Sequence, residues 1–246
     1  MIVLICIDDT DNLDSMGTGE LLENIIDCLQ EQGLAECSFV TRHQLYIHPE
    51  IAYTSHNSSM CTECKTENLE TVISFCREYL AANCAEGSDP GLCIVLSEKL
   101  ADKQELLEFS FKAKVTVRHK AEAFALAEKY PEAIFLSEHG GTGDGVIGAL
   151  AGCGLRISGN DGRIKGKFKP RTPNEIHSVA EFCRIYGVDR VLTLDKETLA
   201  AEEQLIFKSE SKALFLDFQK TVYVAKDLED GGLWHPLSKK ELPDNV

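Results

Sequence analysis

The chain has 246 residues, 43% of them hydrophobic, and carries 40 acidic against 25 basic side chains for a formal net charge of −15. A chain this long and this apolar forms one or two cores and is not a disordered segment. With no run of eighteen apolar residues it offers no membrane span, and its acidity sets DNA aside as a partner and demands a local basic patch of any RNA ligand.

Met1 leads straight into strand-like sequence without a charged leader, which makes a cytoplasmic protein the expectation. Ten cysteines, from Cys6 to Cys183 and mostly within apolar runs, read as buried thiols of a reducing compartment. Cys61 and Cys64 form a C-x-x-C, but a structural zinc site ordinarily needs a second such pair.

Residues 2–7 (IVLICI) are short, continuous and β-branched, as in a buried strand, and Thr18 offers an N-cap to a helix running to about Gln32. Leu21, Leu22, Ile25, Ile26 and Leu29 share one face of that helix, and Gly33 stops it. A strand over Ser38–His48 precedes a polar stretch. A helix then spans about Asn68–Asn83, and SDPG turns into the strand LCIVLS at 92–97. Next come a helix over 98–109, a short strand near Val115, a helix over 119–129 and the strand AIFLS at 133–137. The loop HGGTGDG opens a short apolar helix interrupted by Gly152 and Gly154, and LRIS with GRIKGKF fits a hairpin around Gly159–Gly162. Beyond Pro173 a helix over 174–186 is followed by the strand-like runs DRVLTL, QLIFKS, KALFLDF and KTVYVAK. Strands and helices alternate without the regular period of a doubly wound sheet, which favours an α+β architecture.

Three stretches carry chemistry. Asp8, Asp9 and Asp11 gather between a strand and a helix, where mutual repulsion calls for a cation. Such carboxylates hold Mg²⁺ by one or two oxygens and leave its other positions to water and substrate phosphates, with Thr18 placed to meet either. In the second stretch, Gly141, Gly143, Gly145 and Gly148 permit close backbone approach and present N–H groups to a phosphate. Gly143-x-Gly145-x-x-Gly148 also satisfies the dinucleotide fingerprint, though without its acidic ribose partner, and no lysine follows in P-loop fashion. In the third, Arg42, His43, His48 and His56 bracket a polar loop in which Asn57, Ser58 and Ser59 are able to grip a nucleotide. A basic run, RIKGKFKPR, concentrates Arg163, Lys165, Lys167, Lys169 and Arg171; it reads equally as a solvated hairpin and as an RNA contact.

Together these motifs resemble, in type and in order, the archaeal tRNA-isoleucine agmatinylcytidine synthetase family, ATP-dependent enzymes that modify an anticodon cytidine. The resemblance rests on Ile7-Asp8-Asp9-Thr10-Asp11, Met16-Gly17-Thr18, Gln44-Leu45 through Asn57, Asp89-Pro90-Gly91 and Gly143-Asp144-Gly145-Val146-Ile147-Gly148-Ala149-Leu150-Ala151, and spans roughly residues 1–165. It implies a kinase-like ATP- and metal-binding region over 1–97 and a ferredoxin-like region with the glycine loop over 98–171; the strand-like runs beyond Pro173 suggest a helix plus β-rich appendage over 172–246. The family's larger members append an oligonucleotide-binding barrel and a zinc ribbon, so this chain is expected to be a shortened relative lacking both.

The resulting expectation is an ATP- and Mg²⁺-dependent enzyme, ligase or kinase-like, that acts on a nucleoside, a small metabolite or a small RNA. Asp8, Asp9 and Asp11 hold the metal and, with Thr18, carry catalysis. Thr10, Asn57, Ser58, Ser59, Gly141, Gly143, Gly145 and Gly148 bind the nucleotide, and Arg42, His56, Arg163, Lys165 and Lys167 face the substrate or its phosphates. A homodimer is compatible with this reading. The alternatives are a non-catalytic nucleotide-binding regulator and, on glycine spacing alone, a dinucleotide-dependent oxidoreductase.

Overall fold

The computed structural model describes residues 1–54, 56–227, 231–238 and 240–242. The chain divides into two compact units, Met1–Ser158 and Gly159–Val246. No helix is long and apolar enough to cross a membrane among the described residues.

The first unit runs β1 (Ile2–Asp8), α1 (Thr18–Glu31), β2 (Glu36–Cys37), β3 (Thr41–Gln44), β4 (Ser58–Lys65), α2 (Leu69–Asn83), β5 (Gly91–Val95), a 3₁₀ turn (Ser97–Lys99), α3 (Gln104–Lys112), α4 (Lys120–Lys129), β6 (Ile134–Glu138) and α5 (Gly145–Ser158). Its strands order β6-β5-β1-β4-β3, with β2 beside β4, and every pairing is antiparallel. Because side chains alternate along a strand, β1 serves two cores. Val3, Ile5 and Ile7 pack with Leu21, Leu22, Ile25 and Leu80 of α1 and α2, while Leu4 and Cys6 pack with Leu106, Ala123, Val146 and Leu150 of α3, α4 and α5. The result is a sheet covered by helices on both faces, the mixed α+β class expected.

The second unit contains β7 (Arg163–Ile164), β8 (Glu175–Ser178), α6 (Val179–Tyr186), β9 (Arg190–Thr193), β10 (Gln204–Phe207), β11 (Leu214–Leu216), β12 (Gln219–Lys226) and β13 (Trp234–Pro236). Its strands order β7-β11-β12-β13-β10-β8, with β9 parallel to β12. Phe182 and Phe207 are fully buried and meet edge to face at 5.5 Å, with Tyr186 stacked obliquely on Phe182 at 4.9 Å. Aromatic area of this kind gives a small β-rich unit much of its core.

Several elements differ from expectation. LRIS is the last turn of α5 and not a hairpin arm, and β7 pairs with β11 instead. Gly152 and Gly154 do not break α5: a Cβ at either would overlap Cys6 or Ser110, so these glycines let the helix lie close to β1 and α3. The segment near Val115 is a turn, the strand over Ser38–His48 contracts to β3, and the helix of 98–109 becomes the 3₁₀ turn and α3. The N-cap of α1 is Gly17; Thr18 is its first helical residue, with its hydroxyl engaged elsewhere.

Candidate active site

Antiparallel pairing brings the ends of β1, β3 and β6 and the starts of β4 and β5 to one rim of the first sheet. Asp8 pairs with Gly91, Gly91 with Glu138, Ile7 with Met60, and Ser58 with Gln44. The loops holding Asp9–Gly17, Tyr46–Asn57, Cys84–Pro90 and His139–Asp144 therefore gather from distant parts of the chain. The N-termini of α1 and α5 open onto the same rim, and their partial positive charge favours anions there.

Asp8 is buried, and Asp9 follows it with φ of 53°, a left-handed conformation that aspartate and asparagine tolerate better than most side chains. The Asp9 carbonyl accepts from the Asp89 N–H at 3.1 Å, and the Thr10 carbonyl accepts from the Ala85 N–H at 3.0 Å, so the acidic loop is tied to the turn before β5. The buried Thr10 hydroxyl donates to that of Thr18 at 3.1 Å, and Thr18 in turn donates to Asp11 Oδ1 at 3.2 Å.

The glycine loop wraps around Asp89. Its carboxylate accepts the Thr142 hydroxyl at 2.9 Å, the Thr142 N–H, and the Gly143 N–H at 3.3 Å, while its carbonyl accepts the Gly145 N–H at 3.1 Å. The backbone donors of residues 142, 143 and 145 thus serve the protein's own aspartate. Gly145 and Gly148 permit contact of another kind: a Cβ at Gly145 would overlap the Asp89 carbonyl, and one at Gly148 would overlap Asp8 Oδ2. The first turn of α5 consequently lies directly on the acidic cluster.

The electrostatics follow from this crowding. Burial pushes the Asp8 carboxyl well above its usual range, and the Asp9 and Asp11 charges add to the effect against a hydrogen bond from the Asp9 backbone. Asp9 is pushed up to about 6 by burial, then by Asp89, Asp11 and Asp144. These groups are hard oxygen donors short of a counter-charge, the chemistry that suits Mg²⁺. They do not form a three-oxygen cage: the Asp8, Asp9 and Asp11 oxygens are not all within 4.8 Å of one another, and among the described residues that criterion is met by Cys6, Cys61 and Cys153. An ion held by one or two carboxylates and completed by phosphate oxygens and water fits this donor set; an all-protein site does not.

Other expected site residues meet this rim to different degrees. The Asn57 amide donates to the Tyr46 carbonyl at 2.6 Å, and Ser58 accepts from Arg42 Nε at 2.9 Å, so both shape the loop after β3. Ser59 is fully buried under α5, and its hydroxyl has no hydrogen-bond partner among the described residues. His56 is exposed in the same loop. Arg163, Lys165 and Lys167 belong to the second unit, where Lys167 pairs with Glu210. Two contributors were not assigned a role from sequence. Asp89 enters that reading only through the SDPG turn and the Asp89-Pro90-Gly91 motif, and Lys120 at the start of α4 bonds Glu138 at 3.0 Å and the Thr142 carbonyl.

The fold has counterparts among solved structures, whereas no family model and no curated protein matches the chain. A tRNA fluorescent labelling enzyme matches with a TM-score of 0.56 at 24% identity, over 77% of this chain and 45% of its own. Apo TiaS, a tRNAIle2 agmatidine synthetase, matches with a TM-score of 0.55 at 22% identity over 77% and 44%. The TiaS–tRNA(Ile2)–ATP complex matches with a TM-score of 0.56 at 23% identity over 80% and 48%. At these identities the likeness is one of fold. The chain spans less than half the length of these neighbours, yet the matched share exceeds the 158 residues of the first unit, so the likeness runs on into the second.

Proposed function

We propose that the protein is an ATP- and Mg²⁺-dependent enzyme of the phosphotransfer or ATP-activating kind, with its nucleotide phosphates at the rim formed by Asp8–Thr18, Asp89 and the start of α5. The observation that carries this reading is the set of aspartates crowded against a helix N-terminus, with Gly148 fitted to the Asp8 carboxylate. The fold neighbours support it, since one is a complex of TiaS with tRNA and ATP and another contains AMPCPP and agmatine.

In this reading magnesium is held by one or two carboxylates of the set Asp8, Asp9 and Asp11 and, when bound, neutralises charge on the phosphates. Thr18 contacts or accepts phosphate, and Asp11, already hydrogen-bonded to its hydroxyl, is placed to take the proton. Asn57, Ser58 and Arg42 line the rim from the side of β3 and β4, and Lys120 supplies a cation beside the glycine loop. A small RNA, nucleoside or metabolite is the acceptor.

A second reading, a nucleotide-binding regulator, draws support from the commitment of the glycine-loop donors to Asp89. The same commitment weighs against a dinucleotide-binding oxidoreductase, which needs those donors for a pyrophosphate. ATP turnover measured against magnesium separates the three. The enzyme reading expects magnesium-dependent turnover that is lost in Asp8→Asn and Asp9→Asn. ATP binding without turnover supports the regulator, and magnesium-independent NAD binding supports the oxidoreductase.

A further inference from the structure

Beneath that rim, three thiols meet in the core. Cys6 and Cys61 are register partners on β1 and β4, Cys153 comes down from α5, and the three Sγ atoms lie within 4.8 Å of one another. Cys64 takes no part. Three residues along β4 from Cys61, it faces the opposite side of the sheet and is disulfide-bonded to Cys37.

The surroundings are not those of a plain apolar core. Arg156, three residues beyond Cys153, is buried, with its guanidinium 4.2 Å from the Phe39 ring centroid and its Nη2 donating to the Ser38 hydroxyl at 3.3 Å. His43 is fully buried and bonds the Thr41 hydroxyl at 2.8 Å. The Ser59 hydroxyl and Cys6 Sγ lie against the same point of α5, at Gly152. The buried Arg156 guanidinium gives this part of the core a positive charge that a metal–thiolate group of net negative charge would offset.

We propose that Cys6, Cys61 and Cys153 bind a thiophilic d¹⁰ cation, zinc or copper(I), in a buried three-thiolate site that joins β1, β4 and α5. Zinc–sulfur bonds of about 2.3 Å place sulfurs about 3.8 Å apart in a tetrahedron, so the thiols need to close by no more than about 1 Å. Binding displaces three thiol protons to solvent. With zinc the site retains one negative charge and needs a fourth donor to complete its tetrahedron; with copper(I) it retains two and three sulfurs suffice. The site clamps together the elements bearing Asp8, Ser59 and Gly148, two to five residues away along each.

The test uses the full chain purified under reducing conditions without chelator. Elemental analysis and titration with zinc alone are expected to give one equivalent per chain, with copper(I) found in its place if that is the native ion. Cobalt substitution is expected to show thiolate-to-metal charge-transfer absorption. Cys6→Ala and Cys153→Ala lose the equivalent, whereas Cys76→Ser and Cys183→Ser retain it. Failure of wild-type protein to bind zinc or copper(I), cobalt binding without a thiolate signature, or an equivalent that survives both alanine variants would overturn the proposal. The wild-type titration and spectrum decide the matter even if a variant fails to fold.

Discussion

Gly148 lies against the carboxylate of Asp8, on the first turn of α5, with no room for a side-chain carbon between them. Gly148→Ala would drive a methyl group into Asp8 Oδ2 and to 2.9 Å from Leu45 Cδ1. Overpacking of this kind destabilises by about 1–3 kcal/mol, and here it also moves the helix away from the acidic loop. A lower denaturation midpoint together with loss of magnesium-dependent ATP turnover is expected. Gly17→Ala, whose Cβ would stand 3.7 Å from Asp11, is expected to keep both nearly unchanged.

The raised Asp9 carboxyl makes the metal-free protein's stability depend on pH with a defined sign. Its folded pKa of about 6 exceeds the ordinary value near 3.8, so the native state binds more protons between those values and stability falls as pH rises through that window. Thermal denaturation across pH 4 to 7 should show this decline, shallower in Asp9→Asn. Magnesium with ATP should stabilise more at pH 7 than at pH 5, where a proton already neutralises the group. Equal stabilisation at both pH values would count against metal binding at Asp9.

Glu175 in the second unit behaves oppositely. The Tyr186 hydroxyl at 2.6 Å and His177 at 3.0 Å hold its carboxyl down to about 2, and burial, then the same bond, lifts Tyr186 to about 12. A depressed carboxyl contributes stability that is present above about pH 4.5 and lost as pH falls toward 2. A raised phenol contributes stability that is present below about pH 10 and lost as pH approaches 12. Tyr186→Phe should flatten both limbs of the unfolding profile, an effect read by circular dichroism.

Retention of an RNA acceptor is expected to depend on the basic run at residues 163–171. Lys165→Glu with Lys167→Glu is expected to abolish retention on RNA at moderate salt and to lower the salt slope. Glu210→Gln, by releasing Lys167 and Lys169 from their ion pairs, should strengthen retention. A double variant indistinguishable from wild type would leave small acceptors as the substrate class.

Local signals in the sequence account for β1, the acidic loop and α1, because a continuous apolar run and a helical stripe depend on neighbours a few residues apart. The gathering of the glycine loop with the aspartates is another matter. It depends on Asp89 reaching residues 142–145, more than fifty positions away, and an SDPG turn looks the same whether or not its aspartate organises a distant loop. Gly152 and Gly154 read as helix breakers because only the fold shows what presses on them. The C-x-x-C reads as a pair until the strand that carries it sends one sulfur to each face of the sheet.

Because neighbouring strands of the first sheet alternate in direction, the nucleotide chemistry proposed for that unit gathers at one rim, and the opposite rim carries the turns near Gly33, Thr66, Leu96 and Pro131. Those turns are natural attachment points. A fluorophore, an affinity tag or a break in the polypeptide placed there sits a full strand length from Asp8, so the protein can be immobilised or labelled while its reactive edge stays accessible.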